Sequence, residues 1–118
     1  MKTLENNKLI AEFLGYIDNG CSEDGFLIHP VTNYDVEISG LKYHEDWNWL
    51  MRVVEKIENL QDENNCAIYN VQIEQCFVEI IENHTSDTII STDANSKLEA
   101  VYNACVEFIK WYNQQSKK

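Results

Sequence analysis

The sequence predicts an α+β fold: three helices packed on a small, four- to five-stranded antiparallel sheet, in the order α-β-β-α-β-β-(β)-α. Three observations lead there. Apolar residues recur at helical spacing in three well-separated segments. Between them lie short runs of Ile, Val, Tyr and Phe that alternate with polar residues, the pattern of a half-buried strand. These runs come in neighbouring pairs that short turns can close as hairpins, so antiparallel pairing follows. The chain has 118 residues, 44% of them hydrophobic, enough for one modest core and one domain spanning 1–118.

The first helical segment carries Ile10, Phe13, Leu14 and Ile17 at i, i+3, i+4, i+7, with a stop signal at Gly15 and again at Asp18-Asn19-Gly20. Phe26 to His29, closed by Pro30, and Tyr34 to Ile38 then pair as a hairpin across Val31-Thr32-Asn33. The second helix is the strongest. Trp47, Leu50, Met51, Val54 and Ile57 form one stripe, and Glu45 and Asp46 suit the positive end of its dipole. After the polar turn Gln61 to Asn65, Ala67 to Ile73 alternates cleanly, Cys76 to Ile81 is a second apolar run, and Thr88 to Ser91 adds an edge piece. Ser96-Lys97-Leu98-Glu99 reads as a capping box opening a third helix. Its wide apolar face runs from Leu98 to Tyr112, before a polar tail, 114–118, that frays.

Charge excludes several functions. Twenty acids against nine bases give a net charge of -11, the wrong sign for sequence-independent binding to DNA, RNA or an anionic membrane. Met1 to Lys8 has no apolar leader pattern, and no stretch approaches the roughly 18 apolar residues of a membrane span. A cytoplasmic protein with reduced thiols is expected. Cys21, Cys66, Cys76 and Cys105 show no C-x-x-C spacing, so no structural Zn site is expected, and Cys66 and Cys105 read as small core residues. Asn83-His84-Thr85 matches a glycosylation sequon, which has no meaning in the cytosol.

No catalytic constellation emerges. Cys, His and Asp occur, but no Gly-rich elbow surrounds a nucleophile. The pairs Glu23-Asp24, Glu45-Asp46 and Asp62-Glu63 could flank a divalent cation, yet solvated turns and a helix start explain all three. Phosphate-cradling Gly motifs are absent. A non-enzymatic protein with no cofactor, metal or catalytic residues is therefore expected. His44-Glu45-Asp46-Trp47-Asn48-Trp49 concentrates unusual residues, with His44 as the candidate switch. On a helix, Trp47 and Trp49 point about 200° apart and cannot line one pocket. Trp47 is assigned to the core stripe, and Trp49 to a second layer.

Three blocks carry a family resemblance: Ile10 to Tyr16, Leu41 to Glu58, and Lys97 to Asn113, which ends Val106-Glu107-Phe108-Ile109-Lys110-Trp111-Tyr112-Asn113. Together they resemble small phage and prophage proteins grouped as the phage α/β/α-sandwich domain, in the same order through most of the chain. The resemblance implies a helix–sheet–helix layered fold and supplies no catalytic residues. The sequence departs from that pattern in its long Asp18 to Asn33 segment and in Arg52, where Pro is expected.

The distribution of charge rises above background. From Ile57 to Ser96 there are eight acids and no Lys or Arg, and from Leu9 to Leu41 six acids and again no base. Solubility alone explains an acidic surface. The sharper reading is a face complementary to a basic groove, formed by Glu63, Glu74, Glu79, Glu82, Asp87 and Asp93, with Trp111 as an exposed aromatic anchor. The expected function is an acidic protein-interaction module of phage type, an anti-CRISPR-like inhibitor. Its partner would be a basic nucleic-acid-binding protein, such as a CRISPR effector nuclease or its guide-RNA complex. A small metal- or nucleotide-dependent phage enzyme, and a phage accessory protein with a replication or virion role, are the alternatives.

Overall fold

A computed structural model describes residues 2–17, 26–29, 32 and 34–116. Their order is α1 (Lys2–Phe13), β1 (Phe26–Ile28), β2 (Asp35–Glu37), a 3-10 turn (Ile38–Gly40), α2 (Trp47–Glu58), β3 (Tyr69–Glu74), β4 (Phe77–Glu82), β5 (Thr88–Asp93) and α3 (Lys97–Ser116). The class is α+β. The five strands do not form one sheet, however: β1-β2 is a separate antiparallel pair, and β3-β4-β5 is an antiparallel meander. The sequence features at Asp18-Asn19-Gly20, Cys21, Glu23-Asp24, Pro30, Val31, Asn33, Lys117 and Lys118 lie outside the described residues.

Local chemistry explains where the helices begin and end. α1 stops at Gly15, whose φ of 107° is open to glycine and costly for other residues. Around it, the Tyr16 amide donates to Ala11 and the Gly15 amide to Glu12, at 3.0 and 3.1 Å. That pair of bonds is a Schellman closure, with Gly15 just past the last helical residue. Ile17 therefore leaves the helix; it bridges Ile28 and is exposed. Asp46 caps α2 by accepting from the Asn48 amide at 2.8 Å. Ser96 accepts from the Glu99 amide at 3.2 Å, the hydroxyl half of a capping box.

Two further side chains depart from their expected places in the core. Trp47 is 39% exposed rather than buried. Val53 joins Leu50, Val54 and Ile57 in the buried stripe, which rotates the covered face of α2 towards Trp49 and away from Trp47. Trp49 packs edge-on against Tyr43, with ring centroids 5.3 Å apart. Cys66 is exposed in the turn after α2, where its neighbours Asp62 to Asn65 are polar. Cys105 is buried as expected, and burial pushes its thiol pKa up to about 12, so it stays protonated and inert.

The core is built around α3. Ala100, Val101, Ala104, Cys105, Phe108 and Ile109 are all fully buried. Small residues let α3 settle closely against β5 and against β4, whose Val78 and Ile80 are buried beneath it. Phe108 meets Tyr69 edge-on at 4.9 Å, Phe13 edge-on at 6.4 Å, and stacks on Tyr112 at 5.7 Å, tying sheet and α1 to one side chain. Asn7 of α1 is the one buried polar side chain among the described residues. Its amide nitrogen donates to the Leu41 carbonyl at 3.2 Å and contacts His44 Nδ1 at 3.0 Å, while its oxygen accepts from Tyr102 at 2.9 Å. Both of its donors and its acceptor are thus used.

These contacts set two expected outcomes in urea denaturation. Asn7→Ala leaves the buried Leu41 carbonyl and Tyr102 hydroxyl, and the half-buried His44 ring, without their partner and should cost about 1–3 kcal/mol. Gly15→Ala, which removes no contact, should still cost about 1–2 kcal/mol because its φ disfavours a Cβ. An Asn7→Ala variant as stable as the parent would show that water replaces those bonds.

Candidate functional site

The meander presents two faces, and strand register decides which residues share each. β3 pairs with β4 as Tyr69–Glu82, Val71–Ile80 and Ile73–Val78, and β5 continues these rows with Ile90 and Thr92. Val78, Ile80 and Tyr69 are buried on this inner face, against α3. α2 lies beside β3, where Glu58 Oε2 accepts from the Val71 amide at 3.1 Å. Alternation sends the other set outward, in rows of Gln72–Glu79–Ser91 and Glu74–Phe77–Asp93. The resemblance implies helices on both faces of a sheet, whereas α3 covers the inner face of this one.

The seven residues singled out for partner binding do not form one cluster. Glu74, Glu79 and Asp93 lie together on the outer face. Glu79 accepts from the Thr88 hydroxyl at 3.2 Å, which holds its carboxylate over β5. Glu82 points to the inner face at the far end of β4, opposite Tyr69, because it is one residue out of step with Glu79. There it accepts from Thr85 at 3.3 Å, and burial first, then the Glu82 charge, raises the Tyr69 pKa. Asp87 closes the turn between β4 and β5, where its carbonyl accepts from the Glu82 amide at 2.9 Å. Glu63 is exposed in the turn from Gln61 to Cys66. Trp111 is half-buried on α3, edge-on to Tyr69 at 6.0 Å and tilted against Phe108 at 5.8 Å, so it is packed rather than presented.

Phe77 is the functional candidate that sequence reasoning missed. It sits on the outer face between Glu74 and Asp93 in the register, and is 41% exposed. Reading Cys76 to Ile81 as one continuous apolar run hid it. Strict alternation within Phe77-Val78-Glu79-Ile80 separates it from the two buried aliphatics and would have found it. Phe77 is thus an exposed aromatic ring flanked by carboxylates on one face of the sheet. Tyr34, 76% exposed beside β2, is a second exposed aromatic, distant in sequence from the acidic strands.

At the other end of the meander, the turn after α2 and the turn after β4 are fastened together. Asp62 accepts from the Asn64 amide at 2.8 Å and the Cys66 amide at 3.0 Å, and it meets His84 Nε2 at 2.9 Å. The Cys66 amide bond first, then His84, then the Asn64 amide hold the Asp62 carboxyl below its usual range. Asn83 adds bonds to the Ile68 and Ala67 carbonyls, through its donating amide and side chain respectively, at 2.8 and 3.0 Å. Of the pair Asp62-Glu63, Asp62 therefore organises the turn. Among the described residues no three His, Cys, Asp or Glu side chains converge as a metal site. Nor, among them, is any helix long and apolar enough to cross a membrane. Comparison with protein-family models, with curated proteins and with solved structures finds no match for this chain.

The lowered carboxyl has a pH consequence. A depressed folded pKa contributes stability that is present above the ordinary Asp value of about 3.9 and is lost as pH falls through the folded value. Asp62→Asn keeps an acceptor oxygen but removes the charge. The stability difference between parent and variant should shrink steadily below about pH 4. A difference that stays constant from neutral pH downward would show that the charge contributes nothing there.

Proposed function

We propose that this chain is a non-enzymatic protein-interaction module whose outer sheet face docks on a basic, nucleic-acid-binding surface of another protein. The observation that carries this reading is the outer face itself. Phe77 stands exposed between Glu74 and Asp93 in the register, with Glu79 in the next row, on a chain segment without a single Lys or Arg. Carboxylates on a rigid sheet present negative charge at fixed spacing, as a phosphate backbone does, and compete for the same Lys and Arg. The exposed ring supplies the desolvated anchor that charge alone lacks.

The phage resemblance and the acidic character together favour an inhibitor, anti-CRISPR-like in kind, acting on an RNA-guided nuclease in the host cytoplasm. Its mechanism would be occupation of the basic guide- or target-binding channel. The chain itself would make no direct contact with nucleic acid.

Capture from a host lysate at about 0.05 M and 0.3 M salt tests this, because screening shortens from roughly 14 Å to roughly 6 Å between them. The expected result is a large nucleic-acid-binding protein held at the lower salt and lost at the higher. The double variant Glu74→Lys with Glu79→Lys should abolish capture while keeping the parent's thermal unfolding. Phe77→Ala should weaken it by at least about tenfold. Capture that survives charge reversal unchanged overturns the proposal.

A further inference from the structure

The order β3-β4-β5 leaves two sheet edges, and the chain treats them differently. The β3 edge is guarded. Glu58 takes the outward Val71 amide at 3.1 Å, and Gln61 forms a bridge with Ala67 just before the strand. The β5 edge has no such cover among the described residues. The Ala94 amide donates to Cys76 at 3.2 Å, and the pairs Thr92–Val78 and Ile90–Ile80 follow in the same register. Antiparallel pairing alternates, so the main chain of Ser91 and Asp93 points away from β4. β5 reads Thr-Ile-Ile-Ser-Thr-Asp, β-branched and free of the Lys and Pro that usually protect an edge. A cleft of about 520 Å³ runs alongside it, bounded by Ser91 and Asp93 on the strand and by Val106, Glu107 and Lys110 on α3.

We propose that the β5 edge accepts an extended basic segment of the partner polypeptide as a fourth strand of the meander. This rests on the reading of the outer face given above and adds where and how the partner is held. Charge complementarity selects the occupant. Asp93 and Glu107 line the cleft, the Glu79 carboxylate reaches over to Thr88 of β5, and the meander carries no Lys or Arg. Lys110, the cation lining the cleft, belongs to the helix side. A second copy of this chain would bring a further -11 to the same place. In an added strand, alternate side chains go to opposite faces. One set lands on the outer face beside Ser91 and Asp93, within the field of Glu79, and calls for Lys or Arg. The other set turns toward Val106 and calls for small apolar residues. The six residues of β5 offer about 20 Å of edge, room for a segment of similar length.

The test uses the full chain and a synthetic octapeptide of alternating Arg and Val, blocked at both ends. Two further peptides carry N-methyl groups on one or the other alternate set of residues, and a fourth replaces Arg by Glu. The alternating peptide is expected to bind and to slow amide exchange at Ser91 and Asp93 by at least about tenfold. One N-methylated peptide, the one blocked along its pairing edge, should bind at least about tenfold more weakly than the other, and the Glu peptide should not bind. Equal binding of both N-methylated peptides, or binding without protection at Ser91 and Asp93, overturns the added strand. The outer-face reading survives that result if Glu74→Lys with Glu79→Lys still weakens the peptide. If that double variant binds normally, the outer-face reading itself fails. No binding by the Arg-Val peptide also overturns the edge proposal. So does protection of Ser91 and Asp93 that grows with protein concentration in the absence of peptide, which would assign the edge to a second copy.

Discussion

The burial of α3 is the constraint on which the remainder of this structure depends. From Ala100 to Ile109 all residues but Asn103 and Glu107 are buried, with α1, α2 and the meander around them. A helix covered on so many sides must be met by several elements, and only small residues allow that approach. Ala100, Ala104 and Cys105 provide it, and Phe108 fills the space left between Phe13, Tyr69 and Tyr112. The Asn7 amide then fixes α1 and the segment from Leu41 to His44 around the same helix. A satisfied buried amide of this kind specifies one arrangement, because any slip leaves its partners unpaired.

An asymmetry between the two faces of the sheet follows directly. Once α3 occupies the inner face, the alternation of β3, β4 and β5 commits Val78, Ile80 and Tyr69 inward and places Glu74, Phe77, Glu79 and Asp93 on the other side. The negative charge of the chain is therefore not spread as a uniform coat. Part of it is presented from a rigid sheet, around an exposed aromatic ring. Another part, at Asp62 and Glu82, is engaged in holding turns, where His84 and Thr85 contact those carboxylates.

The sequence disclosed this fold well where local chemistry decides it. Gly15, Asp46 and Ser96 mark helix boundaries because each meets a backbone need that few residues meet. Alternation marks β3, and short apolar runs mark β4 and β5, each to within two residues of its bounds. The split into two sheets was not legible, because hairpin signals specify neighbours and say nothing about how one pair sits against another. The start of α1 at Lys2, ahead of the apolar stripe that marks it, was hidden by a polar first half held by Asn7. Asn7 and Tyr102 lie 95 residues apart, beyond any periodicity. At the candidate site, the acidic strands were legible from the absence of bases. Their division between faces was not, since Glu79 and Glu82 differ only by an odd step along β4. The large ring that makes Trp111 read as an anchor is the surface that Tyr69 and Phe108 pack against.

Hydrogen exchange of the chain, free and in its captured complex, tests the outer-face assignment most directly. The expected footprint is slowed exchange within 70–74, 77–81 and 88–93, with α1 and α2 unchanged. Slowed exchange concentrated in 2–17 or 47–58, with the three strands unaffected, would contradict it.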